Sequence, residues 1–444
     1  MEEKRKADVV IVGGGASGLA AAVELRMSSS DFSVLIIEKM KEPGRKIRAT
    51  GSGRCNITNT KADGYDRITE FFNQIGLAVK SYENGLVYPY SESASDVADL
   101  LTDRAITLGA KIACSEEVIS IRNEEGEDEA GARFSIESKY KDEDGEHTIC
   151  TEADYVILAT GGKAGPSFGT TGDGYRLAKE LGHSIVTPVP ALTGIECMEW
   201  DEYAEPDAHI LAGTRTHAVV SLYKQDGDLP CYEGPFFNGE YVNCEPIFRE
   251  SGEVQFTKYG LSGICIFNMT RHMRFDKTSG EGLEDYFIKV NLLPGASIAE
   301  YIFERQEGAF SSLPLENFFC TLMKKPVAEY VKETIDFTES CMFGGLGICE
   351  KPIAELTVSD IALVSDIVHG LEFYPDKIRG WQDAQVTMGG VKLDEIDEKN
   401  CESKLVKGLY ITGELADRDF ECGGFNLSNA WITGLAAADD IAKR

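Results

Sequence analysis

Short apolar runs that end in glycine-rich turns open the chain. The first run, residues 9–12, leads into the glycine-rich stretch 13–18, and strong helix formers follow at 19–25. An apolar run, a glycine turn and a helix-forming run together predict a strand–turn–helix unit. A second apolar run, residues 33–37, predicts a second strand that ends at Glu38.

The rest of the chain alternates between helical and strand-like patterns. Helical periodicity predicts helices at 66–83, 95–108, 175–181, 298–310, 317–335 and 428–443. Short or alternating apolar runs predict strands within 111–157 and at 154–162, 218–223, 253–256, 287–293, 362–380, 384–391 and 408–414. Residues 44–59 are rich in glycine and small polar residues, which predicts an extended loop.

Prolines and glycines at 188–194 mark a change of pattern and predict a domain boundary. We predict an α/β protein in which residues 1–190 and 381–444 form a Rossmann-type domain. Residues 191–295 and 356–380 are predicted to form a β-rich substrate domain. Residues 296–355 are predicted to form a helical insertion.

The glycine turn carries the first chemical signal. In the pattern Gly13-x-Gly15-x-x-Gly18, the first glycine permits the tight turn, the second admits a pyrophosphate, and the third lets helix and strand pack closely. A phosphate there would face free N–H groups at the positive end of the helix, around Ala16 and Ser17. A glycine turn without any ligand is the alternative, but it leaves the helix that follows unexplained.

Glu38 lies about 20 residues beyond the glycines, where a carboxylate binds a ribose hydroxyl in dinucleotide-binding folds. An acid at this position predicts an unphosphorylated ribose, and therefore FAD or NAD rather than NADP. The loop at 44–59 adds a cluster of four cations, Arg45, Lys46, Arg48 and Arg54. Such cations suit a phosphate or an anionic ring edge; a solvated basic loop is the alternative.

Composition narrows the class of partner. The 444 residues carry a net charge of −30. This charge argues against nucleic acid as a partner, because a protein binds nucleic acid through a basic surface. No apolar run approaches the length of a membrane span, and the N-terminus shows no signal-peptide pattern, so we expect a cytoplasmic protein with no membrane partner. The twelve cysteines and six histidines show no metal-ligand spacing, so we expect no metal.

Several stretches resemble one family of flavoproteins along nearly the whole length. They are residues 13–18, 44–59, 159–174, 252–263, 386–390, 402–405 and 408–434, and the run Gly53-Arg54-Cys55-Asn56-Ile57-Thr58-Asn59 is the most specific. On these motifs the chain resembles the BaiN-like (YhiN-type) flavoproteins, also described as aminoacetone-oxidase-like FAD-binding enzymes. The resemblance implies an α/β fold: a Rossmann-type FAD-binding domain with an inserted β-barrel-like domain and a helical subdomain.

The resemblance also implies the contacts of a non-covalent FAD. The turn Ala159-Thr160-Gly161 is expected to make a second FAD contact, Glu414 to lie against the ribityl chain or the pyrophosphate region, and the last helix to point its N-terminus at the flavin pyrimidine. The full expected set is Gly13, Gly15, Ala16, Ser17, Gly18, Glu38, Lys39, Arg45, Lys46, Gly53, Arg54, Cys55, Asn56, Val118, Ala159, Thr160, Gly161, Gly413, Glu414, Gly424, Phe425, Asn426 and Leu427. For Cys55 a structural role beside the flavin is expected rather than redox chemistry, because no second cysteine is near in sequence.

The implied activity is an FAD-dependent oxidoreductase that reduces a conjugated C=C bond of an enone-type, bile-acid-like or other small organic substrate. Hydride would pass from flavin N5 to the β carbon, and a side chain would give a proton to the α carbon. Arg54 and Tyr259 are the candidates for that catalytic step. For Arg54 a phosphate or flavin contact is the alternative, and for Tyr259 it is packing within a strand.

Other hypotheses for the function stay open. One is an oxidase or dehydrogenase of a small amine or hydroxy compound, and another is a flavin-binding sensor without turnover. RNA modification on an FAD scaffold conflicts with the charge of −30. No second strand–GxGxxG–helix unit is visible, so electrons are expected from diffusing NAD(P)H, from a protein electron donor, or from the substrate itself.

Overall fold

The structure is a computed structural model that describes residues 3–28, 31–124, 133–224, 245–273, 282–345 and 347–444. It divides into two compact units. The first unit combines Met1–Ala191 with Trp381–Arg444, and the second is Leu192–Gly380. Within the segment predicted to be β-rich, residues 225–244 and 274–281 lie outside the described residues. A separate helical domain at 296–355 stays a prediction.

The first unit begins with strands and helices in alternation. Its elements up to the boundary are β1 Glu3–Val12, α1 Ala16–Ser28, β2 Val34–Glu38, α2 Arg45–Ala49, β3 Thr58–Asn59, α3 Tyr65–Gln74, β4 Val79–Ser81, β5 Leu86–Pro89, α4 Ala94–Thr107, β6 Lys111–Cys114, β7 Glu116–Asn123, β8 Phe134–Asp142, β9 Gly145–Leu158, α5 Asp173–Glu180 and β10 Ile185–Ala191.

The second unit has mostly short strands followed by helices. Its elements are β11 Ile195–Cys197, β12 Arg215–Lys224, β13 Phe248–Phe256, β14 Gly260–Ser262, α6 Ile264–Thr270, β15 Tyr286–Asn291, α7 Ile298–Phe303, α8 Leu315–Leu322, α9 Lys325–Phe343, α10 Val358–His369, β16 Leu371–Phe373 and β17 Pro375–Ile378. The chain then returns to the first unit with β18 Val386–Val391, β19 Leu409–Ile411 and α11 Phe425–Ile441.

The main sheet of the first unit has the Rossmann arrangement. Its parallel strands run in the order β6-β2-β1-β9-β19, and the antiparallel strands β8 and β7 extend β9 as a meander. Both faces are covered, since Val9 and Ile11 of β1 pack in one core and Val10 and Val12 in another. Such burial on both faces is typical of parallel sheets. The predicted α/β fold is confirmed.

The second unit is built on an antiparallel sheet whose order among the described strands is β16-β15-β12-β13-β14-β11-β17. The two edge strands, β16 and β17, are joined in the chain through Tyr374 alone. Because neighbouring positions in the chain occupy opposite edges, the sheet must curl back on itself. This curvature agrees with the β-barrel-like domain that the family resemblance implies.

Several predicted elements were wrong in extent or type. The strand predicted at 362–380 begins instead as α10, because Thr357 and Asp360 form a reciprocal capping box that starts a helix. The helix predicted at 317–335 is broken into α8 and α9, since Pro326 disfavours helical conformation in the residue before it except at a helix start. The helix predicted at 66–83 ends at Gln74, and β4 follows.

The loop predicted at 44–59 is less extended than expected. Its first part is the short helix α2, and a tight turn follows at 50–53. Ile47 explains the helix, because its side chain is buried in the core of the first unit and fixes that turn of backbone.

Candidate cofactor site

The glycine turn after β1 is held by the acid at the end of β2. Gly14 N–H donates to Glu38 Oε2 at 2.7 Å, and Met40 N–H donates to Glu38 Oε1 at 2.8 Å. Each carboxylate oxygen can accept a further hydrogen bond, because an ionised carboxylate offers about four acceptor positions. Glu38 therefore fixes the turn and still has acceptor capacity for ribose hydroxyls.

A large cleft opens above this turn. It contains about 1330 Å³ of empty space when the part open to solvent is counted. Its lining includes sixteen of the predicted cofactor residues: Gly13, Gly15, Ala16, Ser17, Glu38, Lys39, Arg45, Lys46, Val118, Ala159, Thr160, Gly161, Gly413, Glu414, Asn426 and Leu427. Segments from six separate parts of the first unit thus converge on one space.

The turn fits a pyrophosphate. A Cβ at Gly15 would meet just the Ala159 carbonyl oxygen, at 3.9 Å, so a side chain there would project into the cleft. The N–H groups of Ala16, Ser17 and Gly18 at the start of α1 have no acceptor within the helix. An open cradle beside unpaired donors at a helix N-terminus suits a phosphate anion. The residues present therefore fit FAD.

Gly18 has a packing role and does not line the cleft. A Cβ at this position would lie 2.1 Å from the Gly13 carbonyl oxygen, which no side chain can accommodate. This contact confirms that the third glycine lets helix and turn approach closely.

Glu414 is held by groups from two other segments of the cleft wall. Lys46 Nζ donates to Glu414 Oε2 at 2.8 Å. The other oxygen, Oε1, accepts from Thr387 N–H at 3.0 Å and from Thr387 Oγ1 at 2.8 Å. The Thr387 hydroxyl in turn accepts from the N–H groups of Lys163 at 2.7 Å and Ala164 at 3.0 Å. The chain of contacts joins α2, the turn after β9, β18 and the end of β19.

Sequence reasoning missed Thr387 as a member of this group. Its position in the run Val386-Thr387-Met388-Gly389-Gly390 was among the family-like stretches, and that was the available signal. Its side chain is fully buried. The neighbouring Tyr175 is also buried, and burial together with the charge of Glu414 raises the pKa of its phenol.

The start of α11 forms another wall of the cleft. Asn426 and Leu427 line the cleft, whereas Gly424 and Phe425 do not. The Asn426 side chain binds both backbone groups of Phe420, donating to its oxygen at 2.8 Å and accepting from its N–H at 3.0 Å. Gly413 N–H donates to Thr433 Oγ1 at 2.9 Å, which ties the end of β19 to the same helix.

Residues 53–56 lie outside the lining of the cleft. Gly53, Arg54, Cys55 and Asn56 do not line the cleft, and their contact with the cofactor stays a prediction. Cys55 is fully buried, and burial raises the pKa of its thiol to about 12. Asn56 Oδ1 accepts from Val87 N–H at 3.2 Å. The Arg54 guanidinium lies over the ring of Tyr88, 4.9 Å from its centroid.

The same run of sequence anchors the start of α11. Thr58 Oγ1 lies 2.7 Å from Ser428 Oγ in the protein interior, and Trp431 Nε1 donates to the Ile57 carbonyl at 2.9 Å. Asn59 Nδ2 donates to the Gly423 carbonyl at 3.0 Å. The most family-specific stretch therefore positions one wall of the cleft from behind.

Tyr259 belongs to the second unit, in the turn between β13 and β14. Its ring is half-buried, with the Arg379 guanidinium 4.5 Å from the ring centroid. Arg379 also pairs with Glu196 at 2.8 Å. Within the described residues, the Tyr259 hydroxyl has no hydrogen-bond partner.

None of the helices in the described ranges has the length and apolarity needed to cross a lipid bilayer. Across those ranges there is also no cluster of three or more His, Cys, Asp or Glu side chains that would hold a metal ion.

A Rossmann sheet with a glycine turn, an acid at the end of β2 and a second cleft wall after β9 agrees with the class of the chain, an FAD-dependent oxidoreductase. The model of the family described as "HI0933-like protein Rossmann domain" matches residues 7–67 and 64–440, and the chain belongs to this family.

The chain is also similar to named proteins over nearly its full length. It is 31% identical to a 3-dehydro-bile acid delta(4,6)-reductase of Clostridium scindens, covering 98% of each chain. It is 25% identical to a ribosomal RNA dihydrouridine synthase of Escherichia coli, again covering 98% of each. Among solved structures, a 3-ketosteroid-delta4-(5alpha)-dehydrogenase of Rhodococcus jostii RHA1 matches with a TM-score of 0.46 and 13% identity, covering 100% of this chain and 98% of that one.

Proposed function

We propose that this flavoenzyme reduces a C=C bond conjugated to a carbonyl group in a small organic substrate. The observation that carries the proposal is the full-length similarity, at 31% identity, to a reductase of 3-dehydro bile acids. The dihydrouridine synthases are also named for a product in which a ring C=C bond next to a carbonyl is saturated. Reduction of a carbonyl-conjugated C=C bond is therefore common to both kinds of relative.

Charge favours the small organic substrate over RNA. The chain carries −30 net charges, and a polyanion binds through a basic surface that releases its counterions. A sterol-like or other small enone needs no such surface.

The reaction divides between cofactor and protein. When bound in the cleft and reduced, FAD would supply the hydride for the β carbon of the substrate. The π electrons of the C=C bond then form a new C–H bond at the α carbon with a proton from the protein or solvent. The protein's own task is to hold the enone in place and to deliver that proton.

We propose Tyr259 as the catalytic residue that gives the proton. Its hydroxyl has no partner in the described part of the chain, and a phenol can both donate a proton and be reprotonated by solvent. Arg54 is a weaker donor, since guanidinium does not lose its proton in proteins. No carboxylate of the described residues pairs with Arg54, so we propose that it binds the carbonyl oxygen or another anionic group of the substrate.

We further propose that FAD is bound non-covalently and that diffusing NADH or NADPH reduces it. The described residues contain a single Rossmann sheet with its glycine turn, and FAD fits that site. A protein electron donor is the competing arrangement.

The test begins with purified holoenzyme under anaerobic conditions. We expect NADH or NADPH to bleach the flavin absorbance, and a 4-en-3-one steroid or bile acid to restore it while gaining two hydrogens, measured by mass spectrometry. Turnover of an amine or hydroxy compound with oxygen instead would support an oxidase. Dihydrouridine formed in a ribosomal RNA fragment, with no enone reduced, would contradict the small-substrate proposal.

Tyr259→Phe tests the proton donor. We expect kcat for enone reduction to fall by about 10²–10⁴-fold, the usual contribution of a general acid, while flavin reduction by the nicotinamide keeps its rate. Tyr203→Phe is the matched control, because Tyr203 lies in the same unit and is 84% exposed. Unchanged kcat in Tyr259→Phe would remove Tyr259 from the mechanism.

A further inference from the structure

Side chains join two walls of the cleft beside Glu38. One wall follows β2 and contains Lys39; the other runs from the end of β9 into the first turn of α5 and contains Thr171 and Asp173. All three residues line the cleft. Because the acid next to Lys39 is the predicted ribose ligand, this is the adenosine end of the site.

The contacts across this end form a small charged network. Lys39 Nζ forms an ion pair with Asp173 Oδ2 and donates to Thr171 Oγ1 at 2.6 Å. The Thr171 hydroxyl donates to the same Asp173 oxygen at 2.8 Å. Lys39 and Asp173 expose 25% and 32% of their side chains, so the pair is partly shielded from solvent.

Two further contacts join the same two walls of the cleft. A Cβ at Gly169 would lie 2.7 Å from Met40 Cγ, which shows how closely the second wall sits on the first. Arg45 Nη2 approaches the Ser167 carbonyl at 3.4 Å. The walls therefore meet at several points, and the Lys39–Asp173 contact is an ion pair.

We propose that Lys39 and Asp173, with Thr171, act as positioning residues that close the adenosine end of the cleft and set the rate at which FAD leaves. A ligand enclosed behind the pair leaves when the two walls separate, and their separation requires the ion pair to break. Since the pair is partly exposed, added salt weakens it. The inference rests on FAD as cofactor and is independent of which substrate is reduced.

The experiment measures FAD release from the holoenzyme. Wild type, Lys39→Gln and Asp173→Asn are each diluted into an excess of an FAD-scavenging apoflavoprotein, and release is followed by flavin fluorescence at about 0.05 M and about 0.5 M NaCl. Glu180→Gln is the matched control, because it breaks the exposed Arg176–Glu180 pair on the same helix α5.

We expect both variants at the closing contact to release FAD about tenfold faster at low salt, the effect of losing one charged hydrogen bond. Release from wild type should quicken with salt, whereas release from the variants should not. The double variant should be no faster than either single one, because each removes the same contact. Equal release in wild type and Lys39→Gln, or an undiminished salt effect in the variants, would overturn the proposal.

Asp173 also lies in the first turn of α5, where an acid stabilises the helix. If Asp173→Asn fails to fold, Lys39→Gln and Thr171→Val carry the test, since neither residue belongs to that helix. The substrate experiment can fail while this one succeeds, because FAD release is measured without substrate.

Discussion

Lys46 Nζ lies 2.8 Å from Glu414 Oε2, although the two residues are 368 positions apart in the chain. Lys46 belongs to α2 and Glu414 follows β19, so the pair closes one side of the cofactor cleft with segments from both parts of the first unit.

Removing the cation should destabilise the first unit and weaken FAD binding. Lys46→Ala leaves the partly buried Glu414 carboxylate with Thr387 as its remaining partner, so we expect a loss of about 1–3 kcal/mol in the free energy of unfolding. Urea unfolding of the apoprotein and titration with FAD measure the two effects. Glu414→Gln keeps an oxygen for Thr387 and should be milder; a Lys46→Ala protein as stable as wild type would contradict the assignment.

Two glycines of one motif should respond differently to alanine. Gly15→Ala projects a methyl group into the cleft and should weaken FAD binding at least about tenfold with little change in apoprotein stability. Gly18→Ala places a methyl group 2.1 Å from a carbonyl oxygen and should destabilise the apoprotein by about 1–3 kcal/mol or more. Thermal unfolding without FAD separates them, and a reversed order of stability would refute the packing role of Gly18.

Cys55 should be chemically inert in the native protein. Burial raises the pKa of its thiol to about 12, so almost no thiolate forms near neutral pH. Peptide mapping after treatment with iodoacetamide at pH 7.5 should show modification of the exposed Cys320 and Cys341 and not of Cys55. Rapid alkylation of Cys55 in folded holoenzyme would contradict its burial.

Acid should destabilise the first unit through His183. Burial lowers the pKa of His183 below its ordinary 6.5, against the raising effect of its hydrogen bond with Glu395. The unfolded chain therefore takes up the proton first. Stability is fully present above pH 6.5 and is lost as pH falls below it, by at most about 1.4 kcal/mol per pH unit.

Urea unfolding at pH 7.5 and pH 5.5 measures this slope. His183→Gln should reduce it. Burial also lowers the pKa of His369 in the second unit, so part of the slope persists in His183→Gln. An unchanged slope in His183→Gln would show that groups other than His183 cause the acid sensitivity.

Glu199 gives the second unit the opposite pH dependence. Burial raises the pKa of its carboxyl from 4.5 to about 7, with the nearby charge of Glu372 adding to the rise and the N–H of Tyr374 opposing it. The folded state holds the proton that the unfolded chain releases. Stability is therefore present below pH 4.5 and is lost as pH rises towards 7, by on the order of 3 kcal/mol in total.

Glu199→Gln should remove that loss. The amide oxygen can still accept from Tyr374 N–H, so we expect the variant to be more stable than wild type at pH 8 and similar at pH 4.5. Denaturant unfolding at the two pH values checks this. A Glu199→Gln variant that is less stable than wild type at pH 8 would show that the folded protein stabilises the Glu199 carboxylate.

The sequence predicted the local parts of the site well. The glycine turn, Glu38 and the strand that ends at Leu158 follow from patterns within a few residues, and those patterns are physical requirements of the fold. The β-branched residues of α10 favour a strand, and they led to the prediction of a strand in this region. The capping box at Thr357 starts a helix there instead.

Contacts between distant segments were beyond sequence reasoning. The Thr58–Ser428 hydrogen bond joins residues 370 positions apart, and no spacing rule relates them. The sequence of residues 53–56 predicts a direct contact with the cofactor. It gives no sign that the residues just after it, Ile57 and Asn59, anchor the start of α11. Thr387 was missed for the same reason, since its role depends on Glu414 and the turn after β9.

The anchoring of α11 has a consequence for biosynthesis. The glycine turn leaves the ribosome long before Asn426 and Leu427, which line the same cleft. A nascent chain that has not yet passed these residues lacks one wall of the cleft and the partners of Ile57 and Thr58. The complete cleft therefore forms only after Leu427 has been translated, and until then the growing polypeptide lacks the stability that a bound ligand confers.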